Sequence, residues 1–198
     1  MEYSELYEKA LRLAATLHHS QTRKGSDLPY ITHPVHVSVI LLRHGFSTEV
    51  AIAGLLHDVV EDQGYELARI KERFGARVAE IVSSVSERKE DAQGAERPWE
   101  TRKREALEQM REASLDAVAV KMADALHNAQ CFVLDLCHEG PMLWKHFNRG
   151  PEAQLDYYRK VLQISRERLE KHPLVDELAG AVQALTQATD ETDIAIAR

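Results

Sequence analysis

The chain has 198 residues, with 32 Asp and Glu against 25 Lys and Arg, a formal net charge of −7 and a pI near 5.8. That balance weighs against a general binder of nucleic acid or of an anionic membrane surface, because phosphate arrays reward clustered cations. A phosphorylated small molecule would have to be met by a local basic patch. The length suits one domain with a full core, expected over residues 1–198. No apolar run approaches bilayer length, and the start from Met1 to Ser4 lacks the basic then apolar character of a leader. Cys131 and Cys137 lie six apart, outside any zinc-type spacing, and read as reduced thiols of a cytoplasmic protein.

Helical periodicity dominates. Leu6, Ala10, Leu13, Ala14 and Leu17 mark a first amphipathic helix, followed by a loop from Gln21 to Pro34. Thr32 or His33 is placed to cap a helix that has Pro34 in its first turn and runs to Gly45. A helix from about Thr48 carries His57-Asp58, and Glu66 to Phe74 and Arg77 to about Glu87 give two short helices. Glu87 to Glu100 is polar, charge-dense and aperiodic, and is expected to be a mobile loop at a pocket rim. Helices then follow over Pro98 to Ala113 and Leu115 to Cys137. Gly140-Pro141 and Gly150-Pro151 interrupt the chain before a strong helix from Pro151 to Lys171, and a weaker one reaches Ala188 with a frayed tail. No strand and no internal repeat is expected: the fold class is all-α.

The apolar stretch Ala51 to Leu56 runs into His57-Asp58-Val59-Val60-Glu61-Asp62. On one continuous helix Glu61 stands one turn above His57 and Asp62 one turn above Asp58, so imidazole and carboxylates share a wall. Acids that close repel one another, and a divalent cation keeps them ionised. His33, His57, Asp58 and Asp124 form the candidate metal set, a mixed nitrogen and oxygen site with room for water. Taken singly, His33 is as well explained as a cap and a His-Asp pair as chance. Glu61 and Asp62 are candidates for orienting a water and taking its proton, against the alternative of solvated helix-end acids. Asp124 and Asn128 lie one turn apart with Lys121 one turn before, a candidate substrate edge. His127 is read as a packing or supporting histidine, and Arg23-Lys24 equally as an ordinary surface pair or as a small cationic patch fit for phosphate oxygens. Trp99, Trp144, Tyr157 and Tyr158 are read as core packing without a stacking role.

In this order, the motifs Gln21-x-Arg23-Lys24, Pro29-Tyr30-Ile31-x-His33-Pro34, Leu55-Leu56-His57-Asp58-x-Val60-Glu61-Asp62, Phe74-Gly75-x-x-Val78-Ala79 and Lys121-x-Ala123-Asp124-x-Leu126-His127-Asn128 resemble the HD-domain superfamily of metal-dependent phosphohydrolases. Within it they are most similar to the hydrolase domain of RelA/SpoT alarmone enzymes and their small stand-alone relatives. The resemblance implies an HD-type helical fold, with a motif core over about 5–150 and a C-terminal helical extension over about 151–188. It implies one Mn²⁺ per chain, with other divalent ions open, held by His33, His57, Asp58 and Asp124. Glu61 and Asp62 would position the attacking water, and Arg23, Lys24, Tyr30, Lys121 and Asn128 would contact the nucleotide. The implied reaction is hydrolysis of the 3′-pyrophosphate of guanosine tetra- or pentaphosphate to GDP or GTP and pyrophosphate. Ser86-Glu87-Arg88, Gln63 and Ala125 stand where that family usually has Thr-Lys-Leu, Thr and Arg. An HD-fold phosphatase of nucleoside monophosphates or NADPH, and a non-catalytic nucleotide sensor, are the alternatives. The implied partner is a phosphorylated nucleotide; homo-oligomer formation is left open.

Overall fold

The computed structural model describes residues 4–196. Met1 to Tyr3, part of the start expected to lack leader character, and the last two residues of the expected frayed tail lie outside them. Ten α-helices occur among the described residues: α1 Glu5–Leu17, α2 Thr32–Arg43, α3 Thr48–Leu56, α4 Val59–Gln63, α5 Leu67–Phe74, α6 Ala76–Val85, α7 Trp99–Glu112, α8 Leu115–Glu139, α9 Pro151–Leu169 and α10 Pro173–Ile196. A 3₁₀ helix, Gly140–His146, follows α8. Among the described residues only isolated antiparallel bridges, Thr22 with Pro29 and Glu90 with Glu96, interrupt this all-α architecture. No helix among the described residues is long and apolar enough to cross a membrane.

Two helices organise the core. Every residue from Val50 to Leu56 in α3 is buried, so this helix is apolar all round and packs against α1, α2, α6 and α8. Helix α8 is capped by Ser114, whose Oγ accepts from Ala117 N, and it packs against α2, α3, α6, α9 and α10. Gly54 lets α2 approach α3 closely: a Cβ there would lie 2.7 Å from Leu41 Cδ1 and 3.5 Å from Ser38 Cα. That approach brings the start of α2, with His33, beside the end of α3, with His57. From α9, Arg168 donates to the carbonyls of Met110, Arg111 and Ala113, satisfying acceptors that the C-terminus of α7 leaves open.

Four sequence expectations change. Helix α2 is capped by Ile31 with no side-chain bond, because Thr32 Oγ1 turns back to Pro29 O at 2.9 Å. The helix from Thr48 does not run on through Asp62. It ends at Leu56, passes through His57 and Asp58, and restarts as the single turn α4, which stops at Gly64 in the left-handed region (φ 61°). The stretch Glu87 to Glu100 is a loop as far as Pro98, as expected, but an internally hydrogen-bonded one: Asp91 Oδ1 accepts from Gln93 N and Ala95 N, and Arg97 N donates to Lys89 O. Its first residue, Glu87, has a buried side chain.

The C-terminal helix is also firmer than the sequence suggested. Helix α10 reaches Ile196 and lies along α8, burying Leu174, Leu178 and Leu185 completely. Leu178→Ala should therefore lower unfolding stability by about 2–5 kcal/mol, as for other buried leucines. Urea melts read this directly, and a loss under about 0.5 kcal/mol would show that α10 lies outside the cooperative core.

Candidate metal centre and adjoining cleft

Three elements converge on one point. His33 stands on the first turn of α2, His57 and Asp58 occupy the break between α3 and α4, and Asp124 lies midway along α8. His33, His57 and Asp58 each present a ligand atom within 4.8 Å of the others. Asp124 adjoins them, with its Oδ1 3.2 Å from His33 Nε2 and 3.9 Å from His57 Nε2. The break after Leu56 matters here. It turns Asp58 Oδ2 to 2.9 Å from His57 Nε2 and 3.7 Å from His33 Nε2.

The donor set fits a divalent cation. His57 Nδ1 is engaged by Gly54 O at 2.7 Å and His33 Nδ1 by His127 Nδ1 at 2.7 Å, leaving both Nε2 atoms facing the carboxylates. His57 Nε2 is buried and has no hydrogen-bond partner, although Asp58 Oδ2 lies close to it. Lone pairs that converge on a common point without bonding each other are what an ion requires.

Without an ion, a proton competes for the same point. Burial disfavours charge on His57, but Asp58 and Asp124 outweigh it and raise its pKa to about 9. Burial would raise Asp58 and Asp124, yet His57, His33 and, for Asp124, Lys121 hold both below the usual carboxylate range. Burial lowers His33 despite Asp124, and burial beside His33 and His36 lowers His127 to about 3. His127 is therefore neutral and supports His33 from behind.

Glu61 and Asp62 stay close to the cluster across the break: Asp62 N donates to Asp58 O at 2.8 Å, and the Asp58 carboxylate acts on Glu61. Glu61 Oε2 accepts from Glu87 N at 2.9 Å. Burial, then Asp58 and Glu87, raise the Glu61 pKa. Asp62 accepts from Lys89 Nζ at Oδ1 and from Gln21 Nε2 at Oδ2, the latter at 2.8 Å. Lys89 Nζ also lies 3.5 Å from Glu61 Oε1, so one cation spans the pair.

A cleft adjoins the cluster, and two hydrogen-bonded residues form the shared wall. Tyr30 OH donates to Asp58 Oδ2 at 2.6 Å, and Asn128 Nδ2 to Asp124 Oδ1 at 2.6 Å; both side chains line the cleft. Arg23, Lys24 and Lys103 supply its cations. Arg23 is held by Asn128 Oδ1 at 2.7 Å and lies over the Tyr30 ring, while Lys24 lies over Phe147. Burial and Arg102 lower the pKa of Lys24. Phe132, Phe147, Trp99 and Tyr158 supply aromatic faces.

Two readings shift accordingly. Trp99 and Tyr158 face the cleft instead of serving only as core, while Trp144 stacks on Phe132 with 5.3 Å between ring centroids and Tyr157 is buried beneath Lys103. Lys121 is buried behind Asp124, 3.7 Å from its Oδ2, and is not part of the cleft lining. Lys89, Lys103, Phe132 and Phe147 went unread in the sequence. The two lysines sit among many surface charges, the aromatics look like core, and no local pattern marks any of them.

Residues 10–147 match the family model described as HD domain. A guanosine-3′,5′-bis(diphosphate) 3′-pyrophosphohydrolase of Mus musculus is 38% identical over 130 residues, covering 64% of this chain and 69% of that protein. The enzyme of the same name from Haemophilus influenzae is 38% identical over 122 residues, and a probable GTP pyrophosphokinase of Mycobacterium leprae 36% over 123. The match spans 59% and 62% of this chain but only 17% and 15% of those two longer proteins. A crystal structure of a Listeria monocytogenes protein superposes with a TM-score of 0.67 at 36% identity, covering 76% of this chain and 96% of that one. A metazoan ortholog of SpoT, described as hydrolysing ppGpp, superposes with a TM-score of 0.66 at 26% identity, covering 97% and 96%. With the His-Asp break between α3 and α4 and the histidine of α2 inside the matched region, the chain belongs to the HD domain family and is homologous to its RelA/SpoT hydrolases.

Proposed function

We propose that this chain is a divalent-metal-dependent hydrolase that removes the 3′-pyrophosphate of guanosine tetra- and pentaphosphate, releasing pyrophosphate and GDP or GTP, with Mn²⁺ as the working ion. The observation that carries the reading is the shared wall: Tyr30 through Asp58 and Asn128 through Asp124 join the candidate metal donors to a cleft with three cations and four further aromatic faces. Phosphates and a base would be held within reach of the metal donors. The names of the relatives support the same substrate class.

His33, His57, Asp58 and Asp124 would hold the ion, which supplies Lewis acidity and a more acidic water when bound. Glu61 is the proton acceptor, because its buried carboxylate has a raised pKa and its Oε2 is fixed by Glu87 N, leaving Oε1 to take the proton. Asp62, with both oxygens hydrogen-bonded, orients rather than accepts. Arg23, Lys24 and Lys103 offset phosphate charge as the leaving group departs. Lys89 bridges Glu61 and Asp62 and keeps two adjacent acids from repelling each other apart.

Incubating the protein and Mn²⁺ with a nucleotide panel, and separating pyrophosphate from orthophosphate release, tests this; intact pyrophosphate from guanosine 3′-pyrophosphates is expected. Glu87 favours one second reading. It draws Lys103 (2.7 Å) and Arg102 (3.7 Å) into ion pairs, leaving fewer free cations for a polyphosphate. Orthophosphate as the sole product, or preference for nucleoside monophosphates or NADPH, would move the chain to the phosphatase reading.

The cationic patch gives a further expectation. Replacing Arg23 and Lys24 together with Ala should lower kcat/KM on the guanosine pyrophosphate by about 10²-fold or more, since two charge-assisted contacts are lost. A phosphate ester with an uncharged tail should lose far less. Equal losses on both substrates, measured by initial rates, would place the patch outside substrate binding.

A further inference from the structure

We infer that His18 and Gln63 fix the side-chain amide of Gln21 so that its NH₂ group faces Asp62, making the three residues a positioning relay for that acid. The inference deepens the hydrolase reading and rests on it for its kinetic part alone. Asp62, when ionised, can only accept hydrogen bonds. Its Oδ2 lies 2.8 Å from the Gln21 amide, so Gln21 must present nitrogen there and turn its oxygen the other way. That oxygen meets Gln63 Nε2 at 2.6 Å and His18 Nδ1 at 2.7 Å. A carbonyl oxygen has two lone pairs and takes two donors, which requires His18 to carry a proton on Nδ1. The Gln63 Nε2 to His18 Nδ1 distance of 3.4 Å is then the spacing of two donors on one acceptor, not a bond between them.

The remaining atoms agree. His18 is buried with its ring centroid 5.0 Å from that of Tyr30, and its Nε2 has no hydrogen-bond partner, so nothing holds a proton there in preference to Nδ1. A reversed Gln21 would set its carbonyl oxygen against the Asp62 carboxylate, two acceptors at hydrogen-bond distance with no proton between them. With Lys89 on Oδ1, the relay leaves Asp62 one orientation. The Gln63 amide supplies a second donor on the far side of Gln21. The chain reaches Gln21 from the end of α1, and Gln63 and Asp62 from α4, so the relay also ties α1 to α4.

Two measurements decide it. Long-range ¹H–¹⁵N correlation of the folded full chain should show His18 protonated at Nδ1 and bare at Nε2; a proton on Nε2 would overturn the inference. In kinetics, Gln63→Glu places an acceptor against the Gln21 oxygen and should turn the amide over, lowering kcat about tenfold to a hundredfold. KM and bound metal should change less than about twofold, since neither the cleft nor the metal donors are touched. Gln63→Lys restores a donor and should recover most of that loss, an ordering that a merely structural role for residue 63 would not produce. Equal losses for Glu and Lys, or full kcat in Gln63→Glu, would sink it. A wild-type protein inactive on guanosine 3′-pyrophosphates fails the substrate reading instead; the histidine measurement needs no substrate and still decides the relay.

Discussion

Glu61→Gln is expected to keep the metal and the fold while lowering turnover by about 10²–10⁴-fold, the range typical for removal of a positioned proton acceptor. The amide is isosteric, and its oxygen can still accept from Glu87 N, so the 2.9 Å anchor that joins α4 to the start of the 87–98 hairpin survives. What it cannot do is take a proton. The raised pKa of Glu61 follows from burial, then from Asp58 and Glu87, and is partly offset by Lys121 and Lys89. An acid poised in that way is protonated more readily than an exposed one, which brings it nearer the range in which a general base is effective. Metal analysis, thermal melting and kcat on the same preparation separate the possibilities. Near-full turnover in Glu61→Gln would transfer the proton to another group. Loss of metal together with turnover would make Glu61 a ligand.

Stripping the metal should abolish turnover, and the affinity on adding it back should rise about tenfold per pH unit up to about pH 9 if one proton is displaced on binding. The reason lies in His57. In the metal-free protein its pKa stands at about 9, because Asp58 and Asp124 outweigh the cost of burial. At neutral pH the ion therefore competes with a proton for Nε2. Isothermal titration across pH 6–9 in buffers of different ionisation enthalpy reads the proton release. Affinity independent of pH over that window would remove His57 from the ligand set.

The stability of the metal-free protein should follow the same charges. His57 has a folded pKa above its unfolded value near 6.5, so its contribution is fully present below about pH 6.5 and is lost as pH rises through about 9. His127, lowered to about 3, acts in the opposite direction. The unfolded chain binds that proton first, so stability falls as pH drops from about 6.5 toward 3. His33 is also lowered and adds to the acid side. The histidine contribution therefore peaks near pH 6.5, and a saturating ion should flatten its alkaline side by replacing the proton on His57.

The helices were legible in the sequence because each is an amphipathic or wholly apolar segment with local start and stop signals. Ser4, Ser47 and Ser114 cap α1, α3 and α8, and glycine or proline bounds several others. The metal donors were legible for a different reason: His57-Asp58 ends an apolar run, and His33 and Asp124 sit in motifs of their own. Less legible was the break after Leu56. Asp58 stays within the right-handed helical region (φ −99°, ψ −7°), so no glycine or proline marks the interruption. The 87–98 segment misled for a related reason. Its charges look solvated in sequence, yet Glu87 and Lys89 spend theirs on Lys103, Glu61 and Asp62.

The sequence by itself determined the all-α class, the order of the helices and the residue types able to bind a divalent ion, since periodicity, caps and side-chain chemistry are local properties. Only the tertiary structure decided which of those residues face one another. The approach of α2 to α3 across Gly54 sets His33 beside His57, the break at Asp58 turns its Oδ2 toward both histidines, and α8 delivers Asp124 to the metal donors and Asn128 to the cleft. Tertiary packing also assigned the aromatic residues, because a Trp or Phe at helical spacing fits a core and a cleft equally well. Trp99 and Phe132 became cleft faces through the way α7, α8 and α9 meet, and long-range packing of that kind leaves no mark on the residues nearby in sequence.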